Sequence, residues 1–341
     1  MIQDAIAKLL GGSDLSRDEA RDVMDEVMRG GATPAQIAGF LVSLRAKGET
    51  VDEIAGCAEA MRGHVLPVRP ERADVIDTAG TGGDGKGTVN LSTAAALVAA
   101  AAGAGVAKHG NRAVSSACGS ADVLEALGFD IELSPDEIAR SIDELGFGFL
   151  FAQAHHPAMK HAGPVRRELA TRTVFNILGP LTNPAGASRQ VIGVFAPDLT
   201  ETVAEALSGL GTRRAMVVHG AGGIDELSPA GPNLVYHVNG AIEREELDPR
   251  DLGLARCEPD ELSGGTPAEN AEAIRQVFSG ALGPKRDAVV LNAAAALTVA
   301  EVADGMRDGL SIASEAIDSG AAAERLDSLV SFSRMERRAA S

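Results

Sequence analysis

The chain has 341 residues, enough for about two domains or one large α/β unit. Its 31 basic and 48 acidic residues give a formal net charge of −17, which argues against a surface that binds nucleic acid through its phosphates. Aromatic residues make up only 3%, so a stacking platform for single strands is not expected. Three widely spaced cysteines predict neither a disulfide framework nor a zinc site. With no signal-peptide pattern and only short Ala-rich apolar runs, we expect a soluble, cytoplasmic, acidic protein.

The first 65 residues have the pattern of several short helices. Ser16–Glu19 and Thr50–Glu53 are capping boxes, and Thr33-Pro34 places an N-cap before a proline at the first helical position. Pro67 and Pro70 then interrupt the chain. We therefore predict a helical domain over residues 1–66.

From about residue 73, short apolar strands alternate with longer helical segments. This alternation predicts an α/β domain over residues 73–335, with a mostly parallel central sheet flanked by helices. Asn239-Gly240 between two strand-like runs predicts a hairpin, over 234–245. The expected strands are 74–77, 105–108, 148–152, 190–195 and 215–219, and the expected helices are 92–102, 120–127, 135–145, 199–210, 268–278, 292–300 and 309–319.

A glycine-rich segment, Asp77–Thr93, follows the first strand and precedes an Ala-rich helix. Glycines let a ligand approach the backbone, and a helix N-terminus offers free N–H groups, so this segment predicts a phosphate site. It contains G-x-G-x-x-G, but residues 94–107 hold no acid to bind a ribose. Gly87 also stands where a P-loop requires Ser or Thr. Neither a dinucleotide site nor a P-loop is therefore predicted.

Four further polar segments follow later in the chain. Lys108–Ser116 lies at a strand end, where open α/β sheets bind ligands. His155–Glu168 holds three histidines, without the Cys or carboxylate partners expected of a metal site, and an Arg pair able to clamp a carboxylate. Arg172–Pro184 carries several turn signals and is predicted to be a shaped loop. Asp225 and Glu226, reached through glycines after a strand, suit magnesium.

In sequence and order, these motifs resemble those of the anthranilate phosphoribosyltransferase family. Asp77–Thr93 resembles its D-x-x-G-T-G-G-D…N-x-S-T element, and Lys108–Ser116 its K-H-G-N-R-x-x-S-S element. Arg166–Asn183 resembles its R-R-E-L…R-T-x-F-N-x-L-G-P-L-T-N-P element, and Asp225-Glu226 its metal-binding pair. The resemblance covers nearly the whole chain. It departs at Cys118, where many relatives carry Ser; a thiol bonds more weakly.

The resemblance implies transfer of a phosphoribosyl group from phosphoribosyl pyrophosphate (PRPP) to anthranilate, with release of pyrophosphate, in tryptophan biosynthesis. It also implies a homodimer, formed through the N-terminal helices, and a helical domain completed by helices around 157–185. Ser92, Asp225 and Glu226 would bind Mg²⁺, and Gly80, His109, Asn111, His156 and Arg166 would bind anthranilate. The donor would be held by Gly80, Gly83, Asp84, Thr88, Asn90, Leu91, Ser92, Thr93, Lys108, Ser116 and Ser120. No general base is assigned, and His109 is the nearest candidate by sequence.

Three alternatives remain open at this point. A pyrimidine nucleoside phosphorylase would share the fold but would cleave a nucleoside with phosphate. The Asp225-Glu226 pair and the Lys108–Ser116 segment favour the anthranilate phosphoribosyltransferase family over this alternative. A non-catalytic relative that binds nucleic acid would need a basic surface and eroded motifs, whereas this chain is acidic and its motifs are intact. An enzyme of the same fold acting on another aromatic amine is only weakly excluded.

Overall fold

The computed structural model describes residues 1–113 and 117–340, with the backbone alone for 338–340. Four helices form the N-terminal part, and three of them begin at capping boxes whose N-caps are Ser16, Thr33 and Thr50. Each N-cap side-chain oxygen accepts a hydrogen bond from the backbone N–H three residues later. The Glu or Gln side chain at that later position in turn accepts a bond from the N-cap backbone N–H. The predicted starts are thus confirmed. The helices are α1 (Ile2–Leu10), α2 (Arg17–Met28), α3 (Pro34–Lys47) and α4 (Val51–Arg62).

The rest of the chain alternates strands and helices, as expected from the sequence, and ends in four helices, of which the last, α15, was not predicted. Its elements are β1 (Val75–Gly80), α5 (Leu91–Ala101), β2 (Gly105–Gly110), α6 (Ser120–Leu127), α7 (Pro135–Leu145), β3 (Phe147–Phe151), α8 (Ala152–His155), α9 (Met159–Leu169), α10 (Phe175–Leu181), β4 (Arg189–Gly193), α11 (Asp198–Gly209), β5 (Arg214–His219), β6 (Asn233–Asn239), β7 (Ala241–Leu247), α12 (Pro267–Phe278), α13 (Pro284–Val299), α14 (Met306–Asp318) and α15 (Ala321–Ala340).

One seven-stranded sheet has the order β3-β2-β1-β4-β5-β6-β7. The first five strands are parallel, and β6 and β7 form the predicted antiparallel hairpin, with Gly240 at φ 74° in its turn. The chain proceeds from β1 to β2 on one side and later returns to β4 on the other. The strand order therefore reverses between β1 and β4, where open α/β sheets form a crevice at their carboxyl ends.

Two apolar cores lie on either side of this sheet. The larger is built on α5 and α13, whose Ala-rich sequences allow close packing around Leu97 and Leu291. The smaller joins the N-terminal helices to α9, α10 and α11, with Phe40 and Leu178 among its buried side chains. The helices around 157–185 thus share a core with the N-terminal helices. The boundaries 1–66 and 73–335 remain a prediction.

Two segments differ from the sequence-based prediction. Arg172–Pro184 is not entirely a loop, because α10 forms within it around Pro180. Burial of Phe175, Ile177 and Leu178 stabilises this short helix despite its turn-forming residues. Helix α13 begins eight residues before the predicted start at 292 (292 − 284), and its first turn includes Arg286, which is buried and paired with Asp318 at 2.8 Å. In the described part of the chain, no helix combines the length and apolar character needed to cross a membrane.

Candidate active site

The crevice between β1 and β4 is covered by the loop that follows β5. Gly80 and Gly193, the last residues of β1 and β4, are register partners, and Asp225 lies against both. A Cβ on Gly80 would overlap the Asp225 carboxylate, and one on Gly193 would overlap the Asp225 carbonyl oxygen. The two strand ends must therefore lack side chains for Asp225 to reach this position.

The carboxylates of Asp225 and Glu226 connect this loop to the glycine-rich segment. The Gly82 N–H donates to Asp225 Oδ2 at 2.7 Å, and the Ser92 N–H, in the first turn of α5, donates to Glu226 Oε1 at 2.8 Å. Asp84 Oδ2 accepts from the Asp225 N–H at 3.4 Å. Residues some 140 positions apart in sequence thus form one half-buried site at a helix N-terminus.

Negative charge accumulates in this site. Burial, reinforced by the nearby Asp84, raises the pKa of Asp225 to about 6. Burial and the adjacent Asp225 raise the pKa of Glu226 to about 8. Lys108 is buried on β2, and its ammonium donates to Thr78. Burial lowers the pKa of Lys108, although the negative charges of Asp77, Glu226 and Asp225 act to raise it. A cation bound between the carboxylates would relieve their repulsion.

The donor set fits magnesium bound together with a substrate. Asp225, Glu226 and the Ser92 hydroxyl offer oxygen ligands, which are those that magnesium prefers. Within residues 1–113 and 117–340, no three His, Cys, Asp or Glu side chains form a complete metal-binding group. Two carboxylates completed by water and substrate phosphates are typical of a magnesium site in a phosphoryl-group enzyme.

A buried carboxylate supports the neighbouring strand end. Asp77 on β1 accepts the His109 N–H at 3.0 Å and the Asn183 side-chain amide at 2.7 Å. Asn183 also donates to the Ala107 carbonyl oxygen at 2.8 Å. Burial raises the pKa of Asp77 to about 6. These contacts attach the end of β2 to the segment after α10. Sequence reasoning did not assign functional roles to either Asp77 or Asn183, although both lie inside the motifs.

His109 and His156 form a neutral pair. Their Nε2 atoms lie 3.1 Å apart, and His109 Nδ1 lies 3.1 Å from the Gly179 carbonyl oxygen. Because a carbonyl only accepts, we assign the His109 proton to Nδ1, so that His156 Nε2–H donates to His109 Nε2. Burial and the partner ring lower the pKa of His109 to about 3, and burial lowers that of His156 to about 4. At neutral pH both rings are uncharged, and the lone pair on His109 Nε2 accepts the hydrogen bond from His156.

Arg166 is a half-buried cation on α9. Its guanidinium lies 5.1 Å from the centre of the Phe175 ring, and burial lowers its pKa. It has no ion-pair partner within 4.0 Å in the described ranges. Phe175 and Gly179 are one turn apart on α10, so this short helix contacts both Arg166 and His109. The arrangement suits a small anionic aromatic molecule.

The other predicted residues are distributed around the crevice. The backbone oxygen of Gly83 accepts from Arg172, and Asn90 bonds both the Cys118 carbonyl oxygen at 3.2 Å and Asn270 at 2.9 Å. Ser120 Oγ accepts the Asn111 N–H at 3.1 Å. Thr88 is half-buried, whereas Leu91, Thr93 and Lys108 are buried beneath the site, and Ser116 lies outside the described residues.

Comparison with known proteins agrees with this fold and site. Residues 3–65 match the helical bundle domain of a glycosyl transferase family, and residues 72–323 match its a/b domain, so fold and crevice together define a glycosyltransferase. Anthranilate phosphoribosyltransferase from Moorella thermoacetica is 53% identical over 97% of this chain and 98% of that protein. The same enzyme from Thermomicrobium roseum is 53% identical, over 96% of each chain.

Solved structures give the same result. The crystal structure of anthranilate phosphoribosyltransferase from Thermus thermophilus has a TM-score of 0.92 and 49% identity, covering 97% of this chain and 99% of that one. The Saccharomyces cerevisiae enzyme in complex with PRPP and Mg has a TM-score of 0.89 and 28% identity, covering 98% of each. The chain belongs to the anthranilate phosphoribosyltransferase family, which confirms the resemblance found in its motifs.

Proposed function

We propose that this chain transfers the phosphoribosyl group of PRPP to the amino nitrogen of anthranilate. The products are N-(5-phosphoribosyl)anthranilate and pyrophosphate, and the reaction is the second step of tryptophan biosynthesis from chorismate. The observation that carries the proposal is the pair of bonds from Gly82 and Ser92 to Asp225 and Glu226, which unites a phosphate-type loop with two carboxylates. The family to which the chain belongs supports the same reaction.

The glycine-rich loop and the start of α5 would bind the donor. The Gly82 and Ser92 N–H groups face the crevice, where they donate to Asp225 and Glu226, and the N-terminus of α5 favours the negative charge of a phosphate. Lys108 would act from beneath as a buried positive charge rather than as a surface ligand, because its ammonium bonds Thr78. We retain as donor-binding residues Gly80, Gly83, Asp84, Thr88, Asn90, Leu91, Ser92, Thr93, Lys108, Ser116 and Ser120.

Asp225, Glu226 and Ser92 would hold Mg²⁺. When bound, the ion supplies Lewis-acid stabilisation of the charge that develops on the pyrophosphate leaving group. The chain's own residues place the two carboxylates beside the phosphate-binding loop, and the strand-end glycines and loop amides keep them there. This preorganisation removes the need for the site to rearrange while the charge develops.

Arg166 would bind the carboxylate of anthranilate. Its guanidinium is half-buried against Phe175 and can make the two parallel hydrogen bonds that a carboxylate accepts. The neutral rings of His109 and His156 would line the path together with Asn111 and Gly80. Such a pocket fixes the direction of the amino group toward the anomeric carbon, which is an effect of proximity and orientation.

No general base is required, because an aromatic amine is already neutral at pH 7. The tautomer assigned to the histidine pair also leaves His109 a poor candidate for that role, since its free nitrogen accepts a bond from His156 and burial holds its pKa near 3. Catalysis would then come from positioning and electrostatics.

We further propose that the protein is a cytoplasmic homodimer. Cys57, Cys118 and Cys257 are free thiols, which suits a reducing compartment. Leu10 on α1 and Val42 on α3 are 74% and 46% exposed, although both are apolar. Contact between the N-terminal helices of two copies would bury such side chains.

An anthranilate fluorescence assay tests the proposed reaction. Purified protein is mixed with PRPP, MgCl₂ and anthranilate, and the loss of anthranilate fluorescence is followed, with reactions lacking PRPP or containing EDTA as controls. We expect a decrease that requires both PRPP and Mg²⁺. If the protein bound PRPP by calorimetry but left anthranilate fluorescence unchanged, the donor site would stand and the proposed acceptor would be wrong.

A further inference from the structure

The two carboxylates lie on a tight loop that has no regular secondary structure of its own. It leaves β5 at Gly220, whose N–H donates to the Ile224 carbonyl oxygen at 2.9 Å, and it runs on through Asp225 and Glu226 to Leu227. Like charges on adjacent side chains repel each other, and a loop relaxes readily toward water. A rigid support outside the loop is therefore needed to hold Asp225 and Glu226 over the strand ends.

Asn292 on α13 provides such a support through its side-chain amide. Its Oδ1 accepts the Leu227 N–H at 3.0 Å, and its Nδ2 donates to the Leu227 carbonyl oxygen at 2.8 Å. Nδ2 also donates to the Ala288 carbonyl oxygen, one turn back on the same helix, at 2.9 Å. The side chain is 5% exposed and lines the same small cavity as Ser92 and the two carboxylates.

These bonds act directly on the geometry of Glu226. The Leu227 N–H belongs to the planar peptide that joins Glu226 to Leu227, so fixing this group fixes the backbone from which the Glu226 side chain projects. The bond to the Leu227 carbonyl oxygen fixes the next peptide as well. Asn292 thus clamps two successive peptide planes to a buried helix, while Gly193 supports the preceding residue, Asp225, from below.

We propose that Asn292 is a positioning residue for donor and magnesium binding: it holds the Asp225–Glu226 backbone so that both carboxylates reach the glycine-rich loop and the cation that accompanies PRPP. The inference rests on the proposed function. An amide is required at this position, because the Leu227 peptide groups need one donor and one acceptor. Asp cannot donate, and Ala leaves both groups without a partner.

The test compares Asn292→Asp and Asn292→Ala with a control on the same helix, Thr298→Val. Thr298 is also nearly buried, but its hydroxyl donates to Ala294 within α13, away from the carboxylate loop. PRPP binding in the presence of MgCl₂ is measured by isothermal titration calorimetry without anthranilate, so that no turnover occurs. Thermal unfolding and the KM for each substrate are measured on the same samples.

We expect both Asn292 variants to bind PRPP with MgCl₂ about 10- to 100-fold more weakly, the range typical for outer-shell partners of metal ligands. Their KM for anthranilate should change by less than about threefold, because Arg166, His109 and His156 are held by contacts with Phe175, Gly179 and one another rather than by bonds to this loop. Thr298→Val should lose thermal stability without loss of PRPP affinity. An affinity loss in Thr298→Val equal to that in the Asn292 variants would overturn the inference, since the effect would then be general destabilisation of α13.

Two other results would also overturn it. If folded Asn292 variants bound PRPP and MgCl₂ as the unmodified protein does, Asn292 would have no positioning role, and the proposed function would be unaffected. If neither variant folded, Asn292 would be a structural residue only. If the unmodified protein itself failed to bind PRPP with MgCl₂, the proposed function would fail first and this inference with it.

Discussion

Gly193 at the end of β4 lies directly beneath the backbone of Asp225, so close that a single methyl group on Gly193 would occupy the space of the Asp225 carbonyl oxygen. The conflicting atom is backbone, which cannot swing aside as the end of a long side chain can. Because the Asp225 carboxylate also accepts the Gly82 N–H, any shift at this point is transmitted to the glycine-rich loop. The strand end and the candidate metal site are thus mechanically coupled.

Gly193→Ala should therefore lower the PRPP and Mg²⁺ dependent rate about 100-fold, the cost of a displacement of about 1 Å in a catalytic group. The matched control is Gly105→Ala in β2, where the nearest neighbour is the flexible side chain of Arg72 and activity should be retained. Steady-state kinetics measure the rate of each variant, and circular dichroism checks that each variant is folded. Normal kinetics in a folded Gly193→Ala protein would show that the Asp225 loop is free to move without consequence.

Arg166→Ala should raise the KM for anthranilate about 10- to 100-fold, because charged hydrogen bonds to the substrate carboxylate contribute roughly 1.5–3 kcal/mol each. The KM for PRPP should change little. Arg167→Ala, at the exposed neighbouring position, serves as the control. Initial rates with each substrate varied in turn provide the measurement. An equal rise in both KM values would remove Arg166 from its proposed role.

Asp225→Asn combined with Glu226→Gln should abolish Mg²⁺-dependent turnover while leaving the fold intact. Replacing two crowded carboxyl groups, whose ionisation burial and mutual repulsion disfavour, should also keep or increase the free energy of unfolding in Mg²⁺-free buffer. The control replaces Glu245 and Glu246, exposed on edge strand β7, by Gln. Activity and urea denaturation are measured side by side. Unimpaired turnover in the site variant would refute the metal assignment.

The His109–His156 pair should make the protein acid-sensitive. The unfolded chain takes up a proton at His156 below about pH 6.5, whereas in the folded protein burial lowers this pKa to about 4. At this group the unfolded state therefore binds more protons between these values, so the contribution of His156 to the free energy of unfolding falls by about 3 kcal/mol as the pH drops through this window.

His156→Gln should reduce the fall in the free energy of unfolding between about pH 6.5 and pH 4. His237→Gln removes a partly exposed ring that pairs with Glu245 on β7, and it should not reduce this fall. Urea denaturation at intervals between pH 7.5 and 4 measures the effect. Parallel curves for His156→Gln and the unmodified protein would contradict the assignment of the pair as neutral in the folded state.

Leu10→Glu with Val42→Glu should convert the proposed homodimer into a monomer, because the charged side chains could not be buried against a second copy. Leu282→Glu, at an 86% exposed site between α12 and α13, is the matched control and should leave the mass unchanged. Light scattering after size-exclusion chromatography provides the masses. A dimer that survived the double substitution would locate the contact elsewhere.

Local signals allowed accurate prediction of several elements. The capping boxes at Ser16, Thr33 and Thr50 place helix starts correctly because all their hydrogen bonds lie within four residues. Helix α10 was missed for the opposite reason. Its stability comes from the burial of Phe175, Ile177 and Leu178 against distant elements, and that contribution outweighs the turn-forming tendency of its Gly and Pro.

The sequence alone was sufficient to predict the α/β class, the phosphate-type loop and the membership of the family, because these depend on hydrophobic period, glycine spacing and long motifs. Only the tertiary structure joined Gly82 to Asp225, 143 residues away, and revealed Asn292 and Gly193 as supports of the carboxylates. A lone Asn in an Ala-rich helix or a Gly at a strand end carries no local signal of such a role. Its function arises from close contact between distant segments, which the packing of the folded chain determines.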